Sequence, residues 1–115
     1  MRVIVDKDVD ISRTGACGSF PEGTKYSDLV KVFGEPNKIS RGWKTDVEWR
    51  GDINGKIFTI YNYKTGKNYL GEEGLPVEEI TDWRIGGNSN EIASKLIEYF
   101  KKNIKMLAIK HPRRR

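Results

Sequence analysis

Two carboxylates and a cation in the stretch DVEWR are the residues whose types and spacing best suit catalysis. Asp46, Glu48 and Arg50 alternate along a predicted strand, so their side chains should project from one face. Carboxylates beside a cation hold Mg²⁺ in some nucleases. A solvated strand face with a cross-strand ion pair has the same pattern, and it is the interpretation that we favour.

The other side chains that usually perform catalysis are scarce. The one histidine, His111, lies in a basic tail, and the one cysteine, Cys17, has no histidine partner in the body of the chain. Acid–base catalysis by histidine, Cys/His nucleophilic chemistry and zinc binding therefore lack their usual residues. The sequence predicts a protein that is not an enzyme and that has no catalytic residue, metal or cofactor.

A basic glycine loop, KTGKNY, is the first candidate for ligand binding. It places Lys64, Lys67, Asn68 and Tyr69 around Gly66. The spacing is not that of a P-loop, but lysines and free backbone amides could wrap a phosphate while the tyrosine ring stacks on a base. The alternative is a solvated turn whose tyrosine packs on the sheet.

The start of the last helix is the second candidate. Gly86, Gly87, Asn88 and Ser89 precede this helix and follow Arg84. Free N–H groups and the positive end of the helix dipole attract anions, although a tight strand-to-helix turn has the same sequence. Antiparallel strand pairing would place the two candidates at opposite ends of the sheet, so a homodimer is the arrangement that would unite them.

The apolar pattern predicts an α+β fold of order β-α-β-β-β-α, a small antiparallel sheet of about four strands with two helices packed on one face. Strands are expected at residues 2–5, 44–50, 56–64 and 80–85, with Asn54-Gly55 as a hairpin turn. Helices are expected at residues 25–33 and from 88 or 89 to about 107. Residues 65–79 are expected to form a long loop.

The length of 115 residues suits one domain, predicted at residues 1–109 with a basic, disordered tail at 110–115. The net charge of +5 is a property of that end of the chain. Residues 1–100 have 14 basic and 16 acidic side chains, whereas residues 101–115 have seven basic ones and no acid. We therefore expect nucleic acid to bind, if at all, through the tail.

A cytoplasmic location is expected from what the sequence lacks. No apolar run approaches the roughly 20 residues of a membrane span, and the beginning of the chain does not have the pattern of a signal peptide. A single cysteine also suits a reducing compartment. We expect no membrane partner.

Two resemblances add to this interpretation. The pattern G-T-x-Y-x-x-L-x-x-x-F-G-x-P at residues 23–36, followed by a hairpin, resembles the helix–hairpin unit of β-lactamase-inhibitor-protein-like folds and of outer-membrane-assembly lipoproteins. Those proteins are secreted or lipid-anchored. Because this sequence shows no signal peptide or lipidation cysteine, the first resemblance implies a fold only.

The second resemblance is to a recurrent family of small, uncharacterised bacteriophage accessory proteins. Its shared pattern is an acidic-Trp strand at Glu48 and Trp49, the run IYNYKTGKNY, and the segment ITDWRIGG before a last helix. It spans roughly residues 23–100. The resemblance implies a phage accessory protein in the host cytoplasm, and such proteins often disable host defence components or their nucleotide signals.

Three functions are open, in order of preference. The first is a non-catalytic counter-defence protein that sequesters a phosphate-bearing small molecule, such as a nucleotide immune signal. The second is a protein-directed inhibitor of a host defence enzyme, which would use sheet aromatics and the acidic segment 72–82. The third is a nucleic-acid-binding protein that uses the tail and the basic strip 38–67.

Overall fold

A computed structural model describes residues 1–39 and 44–110. Within them the chain forms six strands and three α-helices: β1 (Val3–Val5), β2 (Gly15–Ser19), α1 (Tyr26–Phe33), β3 (Lys38–Ile39), β4 (Val47–Ile53), β5 (Lys56–Tyr61), α2 (Lys67–Leu70), β6 (Arg84–Gly87) and α3 (Asn90–Lys110). Two short 3₁₀ turns, at Gly71–Glu73 and Val77–Glu79, link α2 to β6.

One antiparallel sheet contains all of these strands. Its order is β1-β4-β5-β6-β2, and β3 pairs with the half of β4 that β1 leaves open. The β4–β5 hairpin is the centre, where Trp49 lies opposite Ile60. Asn54 and Gly55 have φ values of 51° and 85°, which is the backbone of a two-residue hairpin turn whose twist suits the flanking strands.

The helices α1 and α3 pack on one face of this sheet and enclose the core. Leu29 and Phe33 of α1 and Leu96 of α3 are buried there, because their spacing places them on one side of each helix. The indole N–H of Trp49 donates to the Gly34 carbonyl at 2.8 Å and so fixes the end of α1 to the sheet. The opposite face, called the open face below, is covered by neither α1 nor α3.

The predicted α+β fold, a small antiparallel sheet with helices, is confirmed, but the predicted strand count was wrong. β2 and β3 were missed, so the sheet has six strands within residues 1–39 and 44–110 rather than about four. β2 has the sequence GACGS, which lacks the apolar alternation that identifies a strand. The predicted strands 44–50 and 56–64 overlap Val47–Ile53 and Lys56–Tyr61. The strand predicted at 80–85 was misplaced, because the observed strand begins at Arg84 and ends at Gly87.

Two further expectations concern the second half of the chain. The predicted loop at 65–79 contains α2 and the two 3₁₀ turns, and the last helix reaches Lys110 rather than about 107. The predicted disordered tail lies, from residue 111 onward, outside the described residues. Within the described part, none of the helices combines the length and the apolar character that crossing a bilayer requires.

Candidate functional site: a groove on the open face

Alternation along the strands determines which side chains reach the open face. Successive residues of a strand point to opposite sides, so Trp49 and Ile60 enter the core while their neighbours face outward. The register places Thr59 opposite Gly86 and Tyr61 opposite both Glu48 and Arg84. Hydroxyl, carboxylate and guanidinium groups therefore meet on the open face beside a backbone that has no side chain at Gly86.

A groove of about 450 Å³ lies on this face, and we call it the open-face groove. It is lined by strand residues and by two loops: Ile11, Thr14, Gly15, Ala16, Lys44, Thr45, Glu48, Thr59, Tyr61, Tyr63 and Gly86. Sites for small molecules usually enclose roughly 300–1,000 Å³. The volume is therefore adequate for a small organic ligand.

The floor of the groove is made of small residues packed at close range. Thr59 is 4% exposed, and a Cβ at position 86 would overlap its Oγ1 atom. Glycine is thus required at position 86 for Thr59 to lie there. Gly15 and Ala16 of β2 continue this low floor on the far side of β6. The result is a flat surface onto which a planar group can fit.

The wall of the groove is aromatic and is surrounded by cations. Lys64 Nζ lies 5.2 Å from the centre of the Tyr63 ring, and Arg84 Cζ lies 5.9 Å from it. Burial raises the pKa of the Tyr61 phenol, while the nearby Arg84 acts in the opposite direction. Tyr61 therefore stays a neutral hydrogen-bond donor at physiological pH, and the cations beside Tyr63 favour an anion.

Carboxylates balance part of this positive charge. Arg50 donates to Glu48 in a partly buried ion pair within β4, whereas the sequence suggested a cross-strand pair on a solvated face. Arg84 Nε lies 3.2 Å from Asp82 Oδ1. Both acids therefore have a cation of their own.

The predicted phosphate loop does hold an anion, but the anion belongs to the chain. The Asn68 amide N–H donates to Asp46 Oδ2 at 3.3 Å, and the Asn68 side chain donates to the Thr45 carbonyl at 2.8 Å. A Cβ at position 66 would overlap the Asp46 carboxylate, so Gly66 is the residue that admits it. Lys67 is exposed on α2, outside the lining of the groove.

Asn62 ties this arrangement to the sheet. Its side chain is fully buried, accepts from the N–H groups of Asp46 (2.8 Å) and Val47 (3.3 Å), and donates to Asp46 Oδ1 at 2.9 Å. Asp46 is therefore turned toward Asn62 and Asn68 instead of standing beside Glu48. Within residues 1–39 and 44–110, no three histidine, cysteine or acidic side chains are grouped so that they could hold a metal ion.

The predicted site at the start of the last helix is divided by the structure. Gly86 belongs to the groove floor, whereas Gly87 packs against Ile92 and Cys17, where a Cβ would come within 2.9 Å of a side-chain atom. Asn88 is exposed, and Ser89 precedes α3 with its carbonyl accepting from the Ile92 N–H at 3.2 Å. The buried Ser89 Oγ has no hydrogen-bond partner among the described residues.

The structure thus unites some predicted residues and separates others. Lys64, Tyr69 and Arg84 gather around Tyr63, since Lys64 Nζ also lies 5.3 Å from the centre of the Tyr69 ring. Lys67 and Asn68 lie on α2. This helix and the start of α3 lie at opposite ends of the paired strands β5 and β6. The sequence analysis did not place Tyr61 in a binding site. The signal that it lacked was β2, whose Gly15 and Ala16 complete the groove.

Cys17 occupies a different environment from a reactive cysteine. Its side chain is half-buried between β6 and α3, and this burial raises the pKa of the thiol. A nucleophilic cysteine usually has a lowered pKa in an electropositive, accessible position. The position of Cys17 therefore suits packing.

Comparison of the sequence with protein-family models and with curated proteins found no match.

Proposed function

We propose that the protein is a non-catalytic binding protein that holds a nucleotide, a phosphate-bearing molecule with an aromatic base, in the open-face groove. The observation that carries this proposal is the meeting of Tyr61, Tyr63 and Lys44 in the lining of one groove. Two further cations, Lys64 and Arg84, lie close to the Tyr63 ring without lining the groove. Aromatic rings stack on bases of any sequence, and cations form charge-assisted hydrogen bonds with phosphate.

The hydroxyl groups of the groove add orientation to this attraction. Thr14, Thr45, Thr59 and Tyr61 line the groove. A hydroxyl can donate one hydrogen bond and accept others; that of Thr14 already donates to the Ile11 carbonyl at 2.7 Å, so it can only accept from a ligand. A ribose presents the same kind of groups, so the sugar would lie over the floor between the base and the phosphate. Because the phenol of Tyr61 remains protonated, it offers a donor to the ligand at neutral pH.

The absence of catalysis and the biological setting belong to the same proposal. The burial of Cys17 and the pairing of Glu48 with Arg50 support a site that binds without transforming. The resemblance to small bacteriophage accessory proteins suggests that the ligand is a nucleotide immune signal. The protein would then sequester that signal in the cytoplasm of the host.

Isothermal titration calorimetry against a panel of linear and cyclic nucleotides tests this proposal, with nucleosides and inorganic phosphate as partial ligands. We expect binding of one nucleotide class, weakened about tenfold by Lys44→Ala through loss of a charge-assisted contact. Lys67→Ala removes the same charge outside the groove and should leave the affinity unchanged. No heat with any nucleotide would contradict the proposal.

A second function, inhibition of a host defence enzyme by direct contact, is favoured by one exposed surface. Leu70 and Leu75 are 44% and 43% exposed and lie beside the acidic residues of the two 3₁₀ turns. Apolar side chains surrounded by acids suit a protein partner. A host protein that is retained in high salt by the native chain, and lost with Leu75→Asp, would favour this function over nucleotide binding.

A further inference from the structure

The lining of the open-face groove contains an acid, although the surroundings of the groove favour an anion. Among the described residues that line it, Glu48 is the single carboxylate and Lys44 is the single cation. A carboxylate repels phosphate, so Glu48 opposes the binding of a nucleotide unless it contacts another part of the ligand. Glu48 therefore marks the end of the groove at which a ligand must present hydrogen-bond donors.

Glu48 is held in place from within its own strand. Arg50, on the same face of β4, donates from Nε to Glu48 Oε2, and the side chains of Glu48 and Arg50 are 17% and 22% exposed. An ionised carboxylate can accept about four hydrogen bonds. Within residues 1–39 and 44–110, Arg50 is the only side chain that hydrogen-bonds to this carboxylate. With respect to that part of the chain, both oxygens can therefore still accept from a ligand.

A hydrogen-bond donor lies next to this acceptor. Tyr61 is directly opposite Glu48 in the pairing of β4 with β5, and both side chains line the groove. Residues that oppose each other in an antiparallel pair have Cβ atoms about 4.5–5.5 Å apart. The edge of a planar ligand can therefore contact the Glu48 carboxylate and the Tyr61 hydroxyl together.

The cations gather at the other end of the groove. The Lys64 N–H donates to the Lys44 carbonyl at 2.7 Å, which places Lys44 beside Lys64, beyond the end of β5. Lys44 precedes Glu48 by four residues, a span of at most about 13 Å in an extended chain. A nucleotide can therefore place its base at Glu48 and its phosphate at Lys44, with the two negative groups kept apart.

Guanine is the common base whose edge best fits an acceptor beside a donor. Its N1–H and its N2 amino group lie side by side and can donate to both oxygens of one carboxylate, while the adjacent O6 accepts from a hydroxyl. Adenine has an unprotonated N1 and no amino group at C2, so only its N6 amino group can donate to a carboxylate. Cytosine also offers one amino group, and uracil offers one N–H between two carbonyls.

We propose that the ligand of the open-face groove is a guanine nucleotide, with Glu48 accepting from N1–H and from the N2 amino group and Tyr61 donating to O6. This inference rests on the proposed nucleotide site and names the base that the site selects. Tyr63 supplies the aromatic ring against which the base stacks. Glu48 is then the residue that determines specificity.

Calorimetry with matched nucleotides tests the choice of base. Guanosine, inosine, adenosine and xanthosine monophosphates and their cyclic forms are titrated into the full chain. We expect the guanine nucleotide to bind about tenfold more tightly than the inosine nucleotide, which lacks the N2 amino group. Its advantage over the adenine nucleotide should be about a hundredfold, because two donors are lost and an acceptor faces Glu48.

The same titrations separate this inference from the nucleotide site on which it rests. Equal affinities for the guanine and adenine nucleotides would overturn the guanine assignment and leave a nucleotide site in the groove. No heat with any of the nucleotides would overturn both.

Glu48→Gln should change the preferred base. The glutamine oxygen can still accept from Arg50 and from N1–H, but the new amide N–H requires an acceptor at C2 of the base. Xanthine has a carbonyl there, and guanine has none. We expect the variant to bind the guanine nucleotide about tenfold more weakly than the native chain does, and the xanthine nucleotide about tenfold more tightly.

Glu91→Gln is the matched control for this substitution. Glu91 is also ion-paired, with Lys95, but it lies on α3 outside the lining of the groove. This variant should keep the native preference for guanine. A Glu48→Gln chain that also keeps this preference would contradict the inference, and one that loses affinity equally for all four bases would assign Glu48 to the sugar and overturn it.

Discussion

Asn62→Ala should lower the free energy of unfolding far more than Asn68→Ala does. Asn62 is 0% exposed and makes its three shortest hydrogen bonds with Asp46 and Val47, at 2.8, 2.9 and 3.3 Å. In Asn62→Ala those two N–H groups and a carboxylate oxygen lose their partner. An unsatisfied buried group costs about 1–3 kcal/mol, and water entering the vacated space would recover part of that cost. We expect a loss of about 3 kcal/mol.

Asn68→Ala is the matched control, because it removes the same amide from an exposed position. The substitution removes the hydrogen bond from the Asn68 side chain to the Thr45 carbonyl and leaves the backbone N–H of residue 68 bound to Asp46. The expected loss is about 1 kcal/mol. Urea denaturation at equilibrium measures both variants. A value for Asn62→Ala equal to that of the control would refute the idea that Asn62 holds Asp46 and the basic loop in place.

Three further predictions concern other positions. Gly86→Ala should destabilise the fold by about 2 kcal/mol, since the added methyl overlaps Thr59; a shift of the urea midpoint measures this, and an unchanged midpoint would contradict the packing of the groove floor. Trp49→Phe should cost about 2 kcal/mol through the lost bond to Gly34 and the vacated core volume, and thermal melting checks it. The Cys17 thiol should react with a disulfide reagent more slowly in the folded protein than in urea at mildly alkaline pH, because its raised pKa keeps it protonated; equal rates would contradict the burial.

The raised pKa of Cys17 also has a consequence for stability. The folded state retains the thiol proton to higher pH than the unfolded state does. The stabilisation that the protonated Cys17 thiol gives to the folded state is therefore complete below the pKa of the thiol in the unfolded chain. It is lost as the pH rises through the pKa of the thiol in the folded protein.

The parts of the fold that local sequence predicts are those with local causes. The turn at Asn54 and Gly55 and the helix α1 follow from adjacent residues, namely a dipeptide that tolerates positive φ and an apolar spacing of three and four. β2 has no such signal, because glycine, alanine and serine show no alternation. It becomes a strand through its partner β6, which is far away in the sequence.

In the basic loop, residue types alone do not show which anion the loop holds. Its glycine and free amide have the features of an anion site, and an anion is present there. That anion is Asp46, which lies 22 residues before Asn68 and reaches it only because β4 and β5 pair. The groove escaped prediction for the same reason, since its floor needs β5, β6 and β2 side by side. Alternation did place Tyr61 and Tyr63 on one face, but it could not show that this face lacks a helix.

Nuclear magnetic resonance mapping with a bound nucleotide tests the central claim most directly. We predict that titration shifts the backbone amide signals of Ala16, Thr59, Tyr61 and Gly86 in proportion to saturation, and leaves those of Lys67 and Asn68 in place. Shifts confined to the basic loop, or no saturable shifts with any nucleotide, would contradict a ligand site in the open-face groove.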